Sequence, residues 1–441
     1  MTNFSSYFKG KKVTVVGLGL LGKRLGDIAF LAECGAEVLV TDLKTEKDLA
    51  SSINKLKEYK NIKYVLGEHR LEDFENCDFV LKGQGVALDS PYIAHARSKG
   101  IPIEMDESLF AKLAPKVKIV GVTGTRGKST VTMLIYEILR AGGIRVHLGG
   151  NIKGTAALPL LKEVKDGDIV VFELSSWQLQ GFGEAKISPH ISVFTNFMGD
   201  HMNYYKNDME KYFSDKSYIY KFQRKNDVLI LGPQIKNMIR GVPGKIVNAD
   251  LNNVPKWNIK LGGEHNRENI ACALEVARVL NIPDQVSQKV IENFQTPPGR
   301  LEFVKEVNHV KIYNDTNSST PEATTVALRT LGNSVKKNII LIMGGSDKDL
   351  SFGDLYKYII RYVREVVLIP GKGTDRVLPD LKRLKVSLHT EKDLKSVVER
   401  AYKLSKSGDI LLFSPAFTSF GMFENEYDRG EKFMEVVRNL K

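Results

Sequence analysis

Lys128-Ser129-Thr130 follows the run Val120-Gly121-Val122-Thr123-Gly124-Thr125-Arg126-Gly127. A β-branched strand feeding a glycine-rich turn, with Gly-Lys-Ser opening a helix, has a specific chemical use. Backbone amides and the Lys128 amine can hold the β and γ phosphates of a nucleotide, and the Ser129 hydroxyl can reach Mg2+. The common pattern puts four residues between the first Gly and Gly-Lys. Here the loop is compressed, with Thr125 and Arg126 alone separating Gly124 from Gly127.

A second glycine loop precedes it. Strand Val13–Val16 runs into Gly17-Leu18-Gly19-Leu20-Leu21-Gly22, and Asp42 ends the next strand. This is the dinucleotide-binding fingerprint in its strand–loop–helix context. Its glycines let backbone N–H groups approach a diphosphate at a helix N-terminus, and the acid can bind a ribose hydroxyl. The pattern does not choose among NAD, FAD and UDP-sugars. Two phosphate loops imply two nucleotides. A dehydrogenase needs only the first loop, a GTPase switch only the second, and a kinase could use both.

Further polar groups cluster at strand ends. Strand Asp168–Phe172 delivers Glu173-Leu174-Ser175-Ser176-Trp177-Gln178. An acid at that position beside a phosphate loop is placed to hold Mg2+. Strand His190–Asn196 leads into Asp200-His201, where a lone histidine reads equally well as structural. Tyr205–Phe222 reads as a helix carrying Lys211, Lys216 and Lys221, with Lys211 and Lys221 on a solvated face. Gly344-Gly345-Ser346-Asp347-Lys348 and Ser414-Pro415-Ala416-Phe417-Thr418-Ser419 each follow an apolar strand, where open α/β sheets bind ligands.

The elements that must position these groups alternate from end to end. Strands are expected at Lys12–Gly17, Glu37–Asp42, Asp78–Lys82, Lys118–Thr123, Asp168–Leu174, His190–Asn196, Asp227–Leu231, Val310–Asp315, Asn338–Gly344, Glu365–Pro370 and Asp409–Ser414, many separated by helical patterns. That alternation predicts an α/β fold of parallel sheets wrapped by helices. At roughly 150 residues per domain the length suggests about three domains. Ala114–Pro115 precedes a new strand–loop–helix unit, and Thr296-Pro297-Pro298-Gly299 is a stiff, helix-breaking linker. The expected division is a Rossmann-like N-terminal domain over 1–114, a central P-loop domain with a mostly parallel sheet over 115–298, and a Rossmann-like C-terminal α/β domain over 299–441.

Bulk properties exclude other classes. Charged residues make up 26% of the chain, and no apolar run approaches the ~20 residues of a spanning helix. No membrane insertion is expected. The start, MTNFSSYFKGKK, lacks an apolar signal core, so a cytoplasmic location is expected. Cys34, Cys77 and Cys272 are scattered outside any CxxC and read as idle thiols. The net charge of +12 comes from residues spread along the chain. A solvated surface drawing in polyanionic small substrates explains it without nucleic acid.

Taken together, the motifs resemble the Mur ligase family over essentially the whole chain. Those carrying the resemblance are Thr123-Gly124-Thr125-x-Gly-Lys-Ser-Thr, Glu173-Leu-Ser-Ser-x-Gln, Asp200-His201, Gly263-Glu-His265-Asn266-x-x-Asn269 and Gly299-Arg300-x-Glu302, in family order. The N-terminal GLGLLG and Asn314-Asp315-Thr316 make it most similar to the branch that adds glutamate to UDP-N-acetylmuramoyl-L-alanine.

The resemblance implies an ATP-dependent carboxylate–amine ligase. Gly124, Thr125, Gly127, Lys128, Ser129 and Thr130 would bind ATP, with Asn266 at the adenine and Arg300 and Asp315 contributed from beyond the linker. Ser129 and Glu173 would hold one Mg2+, and His201 a second. Lys216 matches the family's N-carboxylated lysine, an anionic oxygen ligand once modified. Lys128, His201 and Lys216 form the implied catalytic set. Gly19, Leu20, Leu21 and Asp42 would bind the UDP end of the substrate, and Asn151, Ser175 and Gln178 its muramoyl-peptide end. Ser319, Lys348 and Ser419 would hold glutamate. A monomer is expected. The sequence departs from the family at Asn317, where a lysine is usual, at Glu426, where an aromatic is usual, and at Arg126, often Asn.

Three alternatives stand beside this reading. One is a related amide ligase taking a different amino acid; a folylpolyglutamate synthetase lacks the UDP-binding front end. An NAD-dependent dehydrogenase leaves the Lys128 loop unexplained. A nucleotide switch would bind ATP or GTP without phosphate release that depends on an amino acid.

Overall fold

Continuous apolar runs build the inner strands, as expected where helices cover both faces of a parallel sheet. Ile-Val-Val-Phe-Glu at Ile169–Glu173 and Ile-Ile-Leu-Ile-Met-Gly at Ile339–Gly344 are buried at every position. The computed structural model describes residues 4–18, 23–152, 154–347, 349–419 and 421–440. Gly19, Leu20, Leu21 and Lys348 lie outside the described residues.

Three sheets result. The first contains β1 (Lys12–Val16), β2 (Glu37–Asp42), β3 (Ile62–Leu66), β4 (Phe79–Lys82) and β5 (Ile103–Glu104), in the order β3-β2-β1-β4-β5. The second contains β6 (Lys118–Thr123), β7 (Val146–Gly150), β8 (Ile169–Glu173), β9 (Ile191–Phe194), β10 (Val228–Leu231) and β11 (Lys245–Asn248), in the order β11-β10-β9-β6-β8-β7. The third contains β12 (Glu302–Val307), β13 (Val310–Asn314), β14 (Ile339–Gly344), β15 (Val363–Ile369), β16 (Ser387–Thr390) and β17 (Ile410–Phe413), in the order β12-β13-β17-β14-β15-β16. Among the described residues every strand pair is parallel except β12–β13.

The chain forms two compact units. Met1–Lys260 with Glu264–Asn293 makes one, and Leu261–Gly263 with Phe294–Lys441 the other. In the first unit two sheets share a core. Phe110 meets Phe172 edge-on at 5.4 Å, and the buried Asp27 carboxylate accepts from Leu158 N at 3.0 Å. Among the described residues no helix is long and apolar enough to cross a membrane.

Strand order fixes where ligands can enter. Open α/β sheets bind at the C-terminal strand ends where the chain reverses its direction of travel across the sheet. These points fall between β1 and β4 and between β6 and β9 in the first unit, and between β14 and β17 in the second. Gly17 follows β1, the Gly124–Gly127 loop follows β6 and Gly344-Gly345 lies at the end of β14, each at such a point.

One expected helix is broken. The stretch Tyr205–Phe222 is Met202–Tyr205 followed by Met209–Ser217. Lys206 and Asn207 adopt left-handed backbone, φ 52° and 63°. The Asp208 carboxylate then caps the second helix by accepting from Lys211 N at 2.9 Å, a local bond that competes with helix continuation.

Candidate active site

The loop after β6 is shaped from below by the end of β9. Thr125 N donates to Asn196 O at 3.0 Å, and Arg126 N donates to Asn196 Oδ1 at 2.8 Å. Thr195 Oγ1 donates to Arg126 O at 2.6 Å. Gly124 and Gly127 take φ of 147° and 81°, and a Cβ at either would overlap Thr195 Oγ1 or Asn269 Oδ1 respectively. Only glycine therefore fits these two turns. Asn269 in turn donates to Asn266 Oδ1 at 3.2 Å, so helix Glu264–Val279 brings Asn266 up to the loop.

Two lysines meet at one carbonyl of this loop. Lys128 Nζ donates to Gly124 O and Thr125 O, each at 3.0 Å. Lys216, fully buried in helix Met209–Ser217, donates to the same Gly124 O at 2.9 Å. Burial holds the Lys216 amine well below the usual lysine range, and the nearby Lys128 charge pushes it further, against the pull of Asp200.

Hydroxyl and carboxylate oxygens line the β8 side. Ser129 Oγ donates to Glu173 Oε2 at 2.5 Å, and Asn151 Nδ2 donates to Oε1 at 3.2 Å. Glu173 is 1% exposed, yet both these side-chain partners are neutral. Among the described residues this buried carboxylate has neutral donors as its side-chain partners, and beside a serine hydroxyl it fits a hard divalent cation. The donor set is mixed: among the described residues no three His, Cys, Asp or Glu side chains gather as a metal cluster.

His201 sits at the opposite lip with left-handed backbone, φ 57°. Its ring lies 4.6 Å from that of Trp177. Its amide donates to Asp200 Oδ1 at 2.9 Å, and Arg126 Nη1 donates to Asp200 Oδ2 at 2.8 Å. Arg126 thus ties the phosphate loop to the loop bearing His201.

Ser175 and Gln178 form a reciprocal helix cap, Gln178 N to Ser175 Oγ at 3.3 Å and Ser175 N to Gln178 Oε1 at 2.8 Å. The Gln178 amide nitrogen is bonded to Glu107. In the first sheet the Asp42 carboxylate accepts from Leu18 N at 2.8 Å and Lys44 N at 2.9 Å, tying together the loops that follow β1 and β2. Thr130 is buried in helix Lys128–Ala141.

The second unit gathers its own candidates at the ends of β13, β14 and β17. Asp315 is buried and accepts from Ser318 Oγ at 2.5 Å, Ser414 Oγ at 2.8 Å and Leu301 N at 2.9 Å. Burial nonetheless raises its carboxyl to about 6, while Arg300 draws it down. Ser319 follows on the same loop. Ser419 lies one residue beyond Thr418, which bridges to Ser346. Asn317, in place of the family's lysine, donates from Nδ2 to Pro298 O at 3.1 Å and so pins the linker. Glu426 opens helix Glu426–Arg438 behind the Asn425 cap.

Sequence reading missed several of these partners. Thr195 and Asn196 brace the phosphate loop, and their place at a strand end was the available signal. Arg429 left no local signal. It is fully buried and bonds Thr316 O at 2.6 Å and Phe417 O at 2.9 Å, tying two distant loops.

A nucleotide-phosphate loop facing an oxygen-donor pair, on this arrangement of sheets, defines a phosphoryl-using α/β enzyme. Family models match the chain in three stretches: the MurD-like N-terminal domain of Mur ligases at 11–104, the Mur ligase middle domain at 122–247 and the Mur ligase glutamate ligase domain at 299–417. The UDP-N-acetylmuramoylalanine–D-glutamate ligase of Borreliella burgdorferi is 37% identical over 98% of both chains. That of Roseiflexus sp. is 35% identical over 98% of this chain and 99% of its own. The chain belongs to the Mur ligase family. Solved structures agree in fold. UDP-N-acetylmuramate-alanine ligase MurC from Thermotoga maritima superimposes with a TM-score of 0.63 at 19% identity, covering 98% of this chain and 100% of that one. MurF from the same organism gives 0.60 at 18%, covering 90% and 93%.

Proposed function

We propose that the protein is a cytoplasmic, monomeric ligase that uses ATP to join D-glutamate to UDP-N-acetylmuramoyl-L-alanine in peptidoglycan precursor synthesis. The observation that carries this is the convergence on one loop of Lys128, Lys216, Ser129 and Glu173, with Asn151 on the far oxygen of Glu173. The kinship with D-glutamate ligases along the whole chain supports the choice of substrates.

A carboxylate is a poor electrophile, so ligation needs activation. The terminal alanine carboxylate attacks the γ-phosphorus of ATP, and ADP leaves. The resulting acyl phosphate is attacked by the neutral amine of glutamate. The C–N bond forms, one proton leaves the nitrogen, and the phosphate takes away the former carboxylate oxygen. Lys128 and the amides of Gly124–Ser129 hold the phosphates and stabilise charge on the transferring group. Ser129 and Glu173 would hold one Mg2+, and His201 with an N-carboxylated Lys216 a second, and these ions would supply neutralisation of phosphate charge. Asn151 acts on two fronts, orienting Glu173 and meeting the incoming carboxylate end of the sugar peptide.

Labour divides along three domains, 1–114, 115–298 and 299–441. The first grips UDP through Gly19, Leu20, Leu21 and Asp42, so that remote binding energy places the carboxylate. The middle one fires ATP, with Ser175 and Gln178 framing the substrate and Asn266 the adenine. The last supplies glutamate through Ser319, Lys348 and Ser419, and contacts ATP through Arg300 and Asp315.

The test is phosphate release from ATP and Mg2+ in the presence of UDP-N-acetylmuramoyl-L-alanine and each of a panel of amino acids. Release only with D-glutamate supports the reading. Release with another amino acid moves the chain to a sister ligase, and NADH binding without release returns it to the dehydrogenases.

A further inference from the structure

The first sheet carries an arginine that none of the roles above uses. The sheet reverses between β1 and β4, and Val16 pairs in register with Lys82 at the C-terminal ends of those strands. The crevice where such a sheet takes its ligand therefore opens beside Lys82. Helix Lys23–Glu33, which follows the glycine loop, carries Arg24. Arg24 Nη2 donates to Lys82 O at 3.2 Å.

Two features mark this as an anion site. Among the described residues the buried Arg24 Nη1 has no hydrogen-bond partner, an arrangement costly for a charged donor. A second cation lies beside it: Lys82 is fully buried, with Nζ donating to Gly83 O at 3.1 Å and Val86 O at 2.7 Å. Burial first, and the Arg24 charge second, lower the Lys82 amine to about 8. Asp215, Asp106 and Glu184 pull that amine the other way, and among the described residues neither Lys82 nor Arg24 forms an ion pair with a carboxylate. At Gly83 a Cβ would stand 2.8 Å from Val16 O, so glycine there lets the loop after β4 approach β1 closely.

We propose that Arg24 binds the diphosphate of the sugar-nucleotide substrate, adding a charged donor to the backbone amides of the glycine loop. This rests on the UDP-binding role assigned to the first sheet. The fork of the guanidinium suits adjacent phosphate oxygens, and the bond to Lys82 O aims it.

Binding of UDP, UMP and uridine to the full-length protein, measured by calorimetry, tests it. Arg24→Gln should weaken UDP about 10- to 100-fold, as for loss of a charge-assisted bond, and leave uridine binding and the thermal midpoint unchanged. Arg24→Lys should retain part of the UDP affinity. Undiminished UDP binding by Arg24→Gln overturns the proposal, as does an equal loss for uridine. Should Arg24→Gln not fold, Arg24→Lys decides, because UDP binding at full wild-type strength with no fork present contradicts it. A wild-type protein that binds neither UDP nor uridine instead removes the underlying substrate assignment.

Discussion

Lys128 and Lys216 donate to one oxygen, Gly124 O, at 3.0 and 2.9 Å. Two ammonium groups so placed repel, and Lys216 is the one buried away from water. Its amine is held low by that burial and by Lys128. A neutral amine is the form that adds CO2. Lys216→Ala should therefore lose nearly all ligase activity, and short carboxylic acids should restore part of it by supplying the missing oxygen ligand. Normal turnover by Lys216→Ala would show that no such group is needed.

Lys128→Ala removes the cation over the phosphates. ADP formation should fall by about 10³-fold or more, while UDP affinity stays as in the wild type. Parallel loss of UDP binding would point to a folding defect instead, and retained turnover would refute the role.

Asn151 supports Glu173 through Oε1 while Ser129 holds Oε2. Losing a partner that orients a ligand commonly costs about 10- to 100-fold in metal affinity. Asn151→Ala should accordingly raise the Mg2+ concentration needed for half-maximal rate by at least about tenfold, with Glu173→Ala more severe and only partly rescued by excess Mg2+. An unchanged Mg2+ profile for both variants would remove Glu173 from the metal site.

Asp315 gives the second unit a pH signature. Its carboxyl is raised by burial from 3.8 to about 6, so the folded chain binds that proton more tightly than the unfolded chain. The stability it contributes is present below about pH 4 and is lost as pH rises to about 6, at most about 3 kcal/mol. Comparing urea midpoints at pH 4.5 and 7, Asp315→Asn should lose less stability across that interval than the wild type. Identical slopes would contradict the raised carboxyl.

How far these features could be read from residues alone follows sheet position. The eleven strands expected from sequence are all interior to their sheets. The six unforeseen ones, β3, β5, β7, β11, β12 and β16, are the sheet edges. These edge strands are very short or lack a continuous buried run: β5 has two residues, and β11 and β16 have no buried residue. The broken helix at Lys206–Asn207 escaped because local polar caps overrode its periodicity. Site residues next to a glycine loop, such as Lys128 and Ser129, announce themselves by spacing. Arg24, Lys82 and Arg429 do not, since their meaning comes from contacts 58 and 113 positions away in the chain.

The central claim is that a phosphoryl group passes to the alanine carboxylate before the amide forms. UDP-N-acetylmuramoyl-L-alanine labelled with ¹⁸O in that carboxylate, turned over with ATP and D-glutamate, tests it directly. The account predicts one labelled oxygen in each inorganic phosphate released. Phosphate carrying no label, with amide product formed, would contradict it.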